Sequence, residues 1–261
     1  MNLVDAHCHF DFSDFDGQRE QVLSRAKNLG VSRVVIPGVR RHDWGRVAET
    51  SANFPGTFYC LGIHPWYVRD HDEVDLLSLE AALAEANSHC VGLGECGLDR
   101  LKGSLSQQVP WFEAQVGIAK RQGLPLIVHS VRTHDEVCGI LKAQGFAGRV
   151  LIHGFSGSYQ QACKLVDLGC YIGVGGVVTY ARARKTRDAI ARLPIESLVL
   201  ETDAPDMPPE GVEKGRNSPE FLPVILDSLA ELRAFSREAL ADQILRNTCR
   251  LYGWSANTVG D

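Results

Sequence analysis

Eight short apolar runs, separated by longer amphipathic stretches, constrain the fold of this chain more than any other feature of its sequence. They fall at 3–9, 33–37, 57–62, 91–95, 124–129, 150–153, 170–174 and 198–203. Short runs rich in Val, Ile and Leu, bounded by turn-forming residues, predict buried strands. The stretches between them predict helices at 18–29, 74–87, 106–122, 134–144, 159–168 and 184–192, with two more at 219–232 and 236–252. In 74–87 the apolar stripe is Leu76, Leu77, Leu79 and Leu83. No helix is read between the second and third runs. Strand and crossover repeated eight times predicts a (β/α)8 TIM barrel. No linker, low-complexity tract or charge block divides the 261 residues, so 1–261 is expected to be one domain.

Barrel enzymes build their active sites at the C-terminal ends of the strands. Five runs end there in candidate ligands: His7 and His9, Glu95, His129, His153 and Asp203. His42, His71 and His89 scatter instead through expected loops and helices. Side chains alternate along a strand, so His7 and His9 share one face and Cys8 takes the other. Such a pair suits a divalent ion, and equally a hydrogen-bonded polar patch. Glu95, in Gly92-Leu93-Gly94-Glu95-Cys96-Gly97-Leu98-Asp99, reads as a solvated turn carboxylate or as a bridge between two cations that flanking glycines let approach. His129 and His153 read as core-edge histidines or as ligands of a second ion beside the first. Asp203 reads as a helix N-cap, or as a ligand that also accepts a proton from an attacking water. Asp5 and Glu201, two residues before His7 and Asp203, are candidates to orient the ligands from behind. His64, in Gly62-Ile63-His64-Pro65-Trp66, follows the third run and reads as a substrate contact. Cys8 and Cys96 read as packing residues.

The eight cysteines are scattered without a Cys-x-x-Cys spacing, which suits buried, reduced thiols. No apolar stretch approaches the roughly 20 residues of a membrane span, and the first residues have no basic patch followed by an apolar core. The expectation is a cytoplasmic protein with no membrane contact and no obligate protein partner. A net charge of −5 argues against broad, nonspecific duplex binding, which depends on many cationic contacts to phosphate. It leaves room for a strand end docked in a local pocket.

These segments together resemble the TatD-like metal-dependent hydrolases, a deoxyribonuclease branch of the amidohydrolase superfamily. The resemblance is carried by Asp5-Ala6-His7-Cys8-His9, Leu61-Gly62-Ile63-His64-Pro65, the Glu95 segment, Pro125–Ser130, His153-Gly154-Phe155-Ser156-Gly157 and Leu200-Glu201-Thr202-Asp203-Ala204-Pro205. Arg216-Asn217 with Pro219, Asn247 and Leu251-Tyr252-Gly253 resemble the family's closing segments. The resemblance implies His7, His9, Glu95 and Asp203 around one metal, Glu95, His129 and His153 around another, and His64 on the substrate side. It also implies a DNA strand with a free 3′ end as substrate. Residues 173–180 depart from the family's pattern and are followed by Arg182, Arg184, Lys185 and Arg187, which puts substrate preference in question.

The expected activity is therefore two-metal hydrolysis of phosphodiester bonds, as a 3′-to-5′ DNA exonuclease. Two cations bridged by Glu95 would lower the pKa of the attacking water, and Asp203 would take its proton. Loop cations (Arg100, Lys102, Arg182, Arg184, Lys185, Lys214 and Arg216) are candidates to hold flanking phosphates, Arg216 among them as a substrate-binding residue. Four imidazoles favour zinc as the bound ion, while the carboxylates and phosphate chemistry also suit magnesium or manganese as the working ion. The alternative is an amide, ester or lactone hydrolase using the same metals.

Overall fold

A computed structural model of the chain describes residues 1–255. Its strands are β1 Leu3–Asp5, β2 Val31–Pro37, β3 Thr57–Leu61, β4 Cys90–Asp99, β5 Leu126–Val131, β6 Val150–Ile152, β7 Cys170–Val174 and β8 Leu198–Leu200. All neighbours pair in parallel, in sequence order. The two sheet edges meet through backbone hydrogen bonds just past β1 and β8. Ala6 N–H donates to Leu200 O at 3.0 Å, Asp203 N–H to His7 O at 2.9 Å, and His9 N–H to Ala204 O at 2.8 Å. The barrel therefore closes through the segments that carry His7, His9 and Asp203.

Parallel neighbours require crossovers, and helices supply them. They are α1 Arg19–Asn28, α2 Trp44–Asn53, α3 Glu73–Glu85, α4 Leu105–Gln122, α5 His134–Ala143, α6 Tyr159–Val166, α7 Arg184–Arg192, α8 Leu222–Arg233 and α9 Arg237–Tyr252. Local sequence sets several boundaries. Asp72 and Asp75 form a capping box at the start of α3, and Ser158 and Gln161 form another at α6. Gly123 takes the left-handed conformation that ends α4.

Helix α2 is an addition to the sequence expectation. Its buried residues are Trp44, Val47, Thr50 and Ser51, so half of that buried set is polar and the apolar face is short, made of Trp44, Val47 and Ala48. Ser51 satisfies its hydroxyl by donating to Thr57 O at 2.8 Å. Strand β1 is shorter than expected, stopping at Asp5 before a bend at Ala6. Beyond the bend the backbone still bonds to both neighbours, with Cys8 N–H donating to Val35 O at 3.0 Å. Strand β4 is longer than expected and reaches Asp99, with a register shift against β5 between Leu93 and Cys96.

Two apolar layers hold the barrel. Inside it, Ala6, Val35, Cys60, Val91, Ile127, Leu151 and Val199 pack with Leu251 and Tyr252, and Tyr171 of β7 lies against them. The Tyr252 hydroxyl donates to Ala6 O at 2.7 Å, so the end of α9 plugs the interior. The larger layer joins strands to helices and includes Cys8 and Cys96 beside Val22 of α1 and Phe112 of α4. All eight cysteines are free thiols. No helix among the described residues is long and apolar enough to cross a membrane.

Candidate metal centre

Glu95 lies at the register shift of β4, where glycine is required. Gly94 has φ 154°, and a Cβ there would fall 2.6 Å from Cβ of Ile127. A side chain at Gly97 would collide with the carbonyl of His129. Absence of both side chains lets β4 close against β5 and sets Glu95 beside His129.

The two oxygens of Glu95 face different imidazoles. Oε2 lies 3.3 Å from His7 Nε2 and 3.4 Å from His9 Nε2. On that side Asp203 Oδ1 lies 3.3 Å from His7 Nε2 and 3.6 Å from His9 Nε2. Oε1 lies 2.8 Å from His153 Nε2, 2.9 Å from His129 Nδ1 and 3.0 Å from His64 Nε2. His129 Nδ1 and His153 Nε2 are 3.2 Å apart. The rings of His7 and His153 stack with centroids 3.9 Å apart. All six expected ligands are thus brought together.

This donor set fits a divalent cation on three counts. Tetrahedral zinc with bonds of about 2.0–2.1 Å to nitrogen and oxygen separates its ligand atoms by roughly 3.3 Å, the spacing found around His7, His9, Glu95 Oε2 and Asp203. Contacts at Oε1 are shorter, at hydrogen-bond length. His7 Nε2 and Glu95 Oε2 are buried without a hydrogen-bond partner, a costly state that a cation relieves. Among the described residues three overlapping trios bring donor atoms within 4.8 Å of one another, close enough to share an ion: His7, His9 and Glu95; His7, His153 and Asp203; His64, Glu95 and His129.

Charge follows from this packing. Burial works against ionisation of Glu95, yet the surrounding imidazoles, His153 and His64 foremost, hold its carboxyl well below the usual range. Asp203 is likewise buried and is held low mainly by His7. Burial also opposes protonation of His129, but Asp99 and Glu95 raise it to about 9. His64 goes the other way, lowered by burial to about 4. Its Nδ1 accepts from Trp66 N–H at 3.1 Å, so the neutral ring carries its proton on Nε2. In that tautomer the Nε2–H donates to Glu95 Oε1, 3.0 Å away.

Supporting residues sort themselves by contact. Asp5 accepts from Thr202 N–H at 2.9 Å, Thr202 Oγ1 at 2.5 Å and His7 N–H at 3.4 Å. It therefore ties together the backbones carrying His7 and Asp203 and touches no imidazole in doing so. Glu201 accepts from Gly154 N–H, beside His153, and burial raises its pKa to about 8. Asp99 was not among the sequence candidates for the metal site. Its Oδ2 lies 3.2 Å from His129 Nε2 and accepts from Trp66 Nε1 at 2.6 Å. The only trace in the sequence is its place at the end of the glycine-rich run.

The cavity over the cluster measures about 100 Å³ and is lined by His9, Phe12, His64, Trp66, Glu95, His129, His153, Asp203 and Asp206 among others. Arg216 is not in it. That side chain is exposed in the loop after β8 and lines a separate cavity of about 300 Å³ with Asp14, Arg25 and Glu220.

A parallel barrel with a His, Glu and Asp cluster at its strand ends defines a metal-dependent hydrolase. The family model described as TatD related DNase matches residues 4–253, and the chain belongs to that family. It is 41% identical over 252 residues to the uncharacterized metal-dependent hydrolase YjjV of Escherichia coli K12, covering 96% of this chain and 97% of that one. The crystal structure of YjjV superposes with a TM-score of 0.93, over 97% of this chain and 98% of that one. The 3′-5′ ssDNA/RNA exonuclease TatD of Klebsiella pneumoniae is 30% identical over 272 residues, covering 98% of this chain and all of the relative.

Proposed function

We propose that this chain, as one domain over 1–261, is a two-metal phosphodiesterase that removes nucleotides from the 3′ end of a single DNA strand. The observation that carries the reading is the division of Glu95: one oxygen faces His7 and His9, the other His129 and His153. A carboxylate used at both oxygens by separate imidazole sets is what a bridge between two cations requires. The relative named as a 3′-5′ ssDNA/RNA exonuclease supports the choice of substrate and polarity.

In this reading His7, His9, Glu95 and Asp203 hold one ion, and Glu95, His129 and His153 the other. Zinc is the ion expected to bind most tightly, with magnesium or manganese open as the working ion. The bound ions supply Lewis acidity, lowering the pKa of the attacking water and neutralising the phosphate. Asp203, anionic at the cavity edge, receives the proton of that water. His64, neutral and with its proton on Nε2 beside Glu95, lines the cavity as a substrate contact, its N–H free to turn to a phosphate oxygen when an ion takes its place on Glu95. Trp66, 48% exposed and fixed through Nε1 to Asp99, offers a ring beside the scissile position.

The test is cleavage of end-labelled single and double strands, with the 5′ or the 3′ end blocked in turn, after reconstitution with zinc, manganese or magnesium. Loss of cleavage on blocking only the 3′ end is the expected result. Intact strands alongside turnover of an amide, ester or lactone would replace this reading with the alternative hydrolase.

A further inference from the structure

A second cavity, of about 660 Å³, opens at the ends of β5, β6 and β7. Arg132, Arg182, Arg184 and Lys185 line it, and no carboxylate does. Two more of its wall residues, Ser130 and Gly154, are the chain neighbours of His129 and His153, so the cavity adjoins the metal centre. Several cations elsewhere on the surface are paired: Arg25 with Glu220, Arg100 with Glu136, Lys164 with Asp135, Arg192 with Asp188. Among the described residues the four cavity cations make no such pair.

In a chain of net charge −5, four cations gathered without a counter-charge repel one another unless an anion joins them. The start of α7 adds to the field. Its first residues are Arg184, Lys185 and Thr186, its N-cap Ala183 makes no side-chain bond, and its first turn holds no acid. Open N–H groups there favour an oxyanion. Just before α7 in the chain lie residues 173–180, the stretch that departs from the family's pattern.

We infer that this cavity is the subsite for a non-scissile phosphate of the substrate strand, held by Arg132, Arg182, Arg184 and Lys185 while the neighbouring linkage sits at the metals. The assignment rests on the nuclease reading above. It makes the bound substrate at least two phosphates long and assigns strand affinity to the loops after β5 and β7.

The test is fluorescence anisotropy of metal-loaded protein with a fluorescein-labelled, nuclease-resistant phosphorothioate single strand across a salt series. Arg184→Gln/Lys185→Gln removes two exposed charges, and Lys27→Gln removes one near the start of β2. Each phosphate contact contributes about 0.7 to the slope of log K against log salt on single strands. The double variant is expected to bind more weakly, with a slope shallower by about 1.4, while Lys27→Gln matches wild type. Circular dichroism checks that all three proteins are folded alike. Equal affinity and slope in the double variant and wild type would overturn the phosphate subsite and leave the nuclease reading standing. A wild type that neither binds nor cleaves any strand would overturn the nuclease reading and this assignment with it.

Discussion

Asp99 Oδ2 lies 3.2 Å from Nε2 of His129, while Nδ1 of the same ring lies 2.9 Å from Glu95. One imidazole is therefore held between two carboxylates; with an ion bound beside Glu95, its Nδ1 lone pair would face that ion while its Nε2–H stays on Asp99. Such an acceptor fixes the tautomer and raises the basicity of a ligating histidine. Asp99 is itself held by Trp66 Nε1 and by Leu101 N–H at 2.8 Å. Asp99→Asn keeps the shape and weakens the acceptor. It is expected to lower metal affinity roughly 10–100-fold with the fold intact, read by competition against a chelating indicator. Unchanged affinity would show that His129 needs no such partner.

Glu95→Gln and His64→Gln should separate a bridge from a substrate contact. Glu95 stands within 3.4 Å of His7, His9, His64, His129 and His153, so loss of its charge affects both sides of the cluster. A fall in kcat of at least about a hundredfold, roughly 3 kcal/mol, is expected for Glu95→Gln. His64→Gln removes one N–H donor and is expected to raise KM while leaving measurable kcat. Steady-state kinetics on an end-labelled strand decides between them, and a wild-type kcat in Glu95→Gln would end the bridged mechanism.

The residues at the strand ends were legible because their types are rare there and the barrel brings strand ends to one place. His7, His9, Glu95, His129, His153 and Asp203 could be named without knowing any distance. What periodicity could not supply was offset between strands. Gly97 pairs with His129 and Asp99 with Val131 only because the register slips between Leu93 and Cys96. That slip is what carries Asp99 to the far nitrogen of His129. Helix α2 was hidden for a different reason, since its apolar stripe ends after Trp44, Val47 and Ala48, and Thr50 and Ser51 are buried by hydrogen bonding instead. Arg132 escaped notice because it sits at φ 55° just past β5, where the chain turns out of the strand toward a cavity formed by distant loops.

Cys8 sits between two expected ligands, yet its Sγ lies 3.6 Å from Ala204 O in the layer that faces the helices. Cys8→Ser should therefore leave metal content unchanged. A buried hydroxyl in place of the thiol costs packing, about 1 kcal/mol, or roughly 2–4 °C in Tm. Elemental analysis and a thermal melt on the same preparation measure both. Loss of metal from a protein that still melts cooperatively would show that Cys8 touches the centre.

Metal itself should stabilise the fold, because the donor atoms converge only in the native barrel. Wild-type protein stripped with chelator and reconstituted is expected to take up two divalent ions per chain. Ions at about 100 times their Kd add roughly 2.7 kcal/mol, near 5–10 °C in Tm for a chain of this size. His7→Ala/His9→Ala deletes both nitrogens that face Glu95 Oε2. It leaves His129 and His153 at Oε1, so one ion and a smaller rise in Tm are expected. The interior plug of Leu251 and Tyr252 lies in a separate apolar cluster, so the variant should still melt as a folded protein. Equal metal content in the two proteins, by elemental analysis after identical reconstitution, would mean that the ions bind elsewhere.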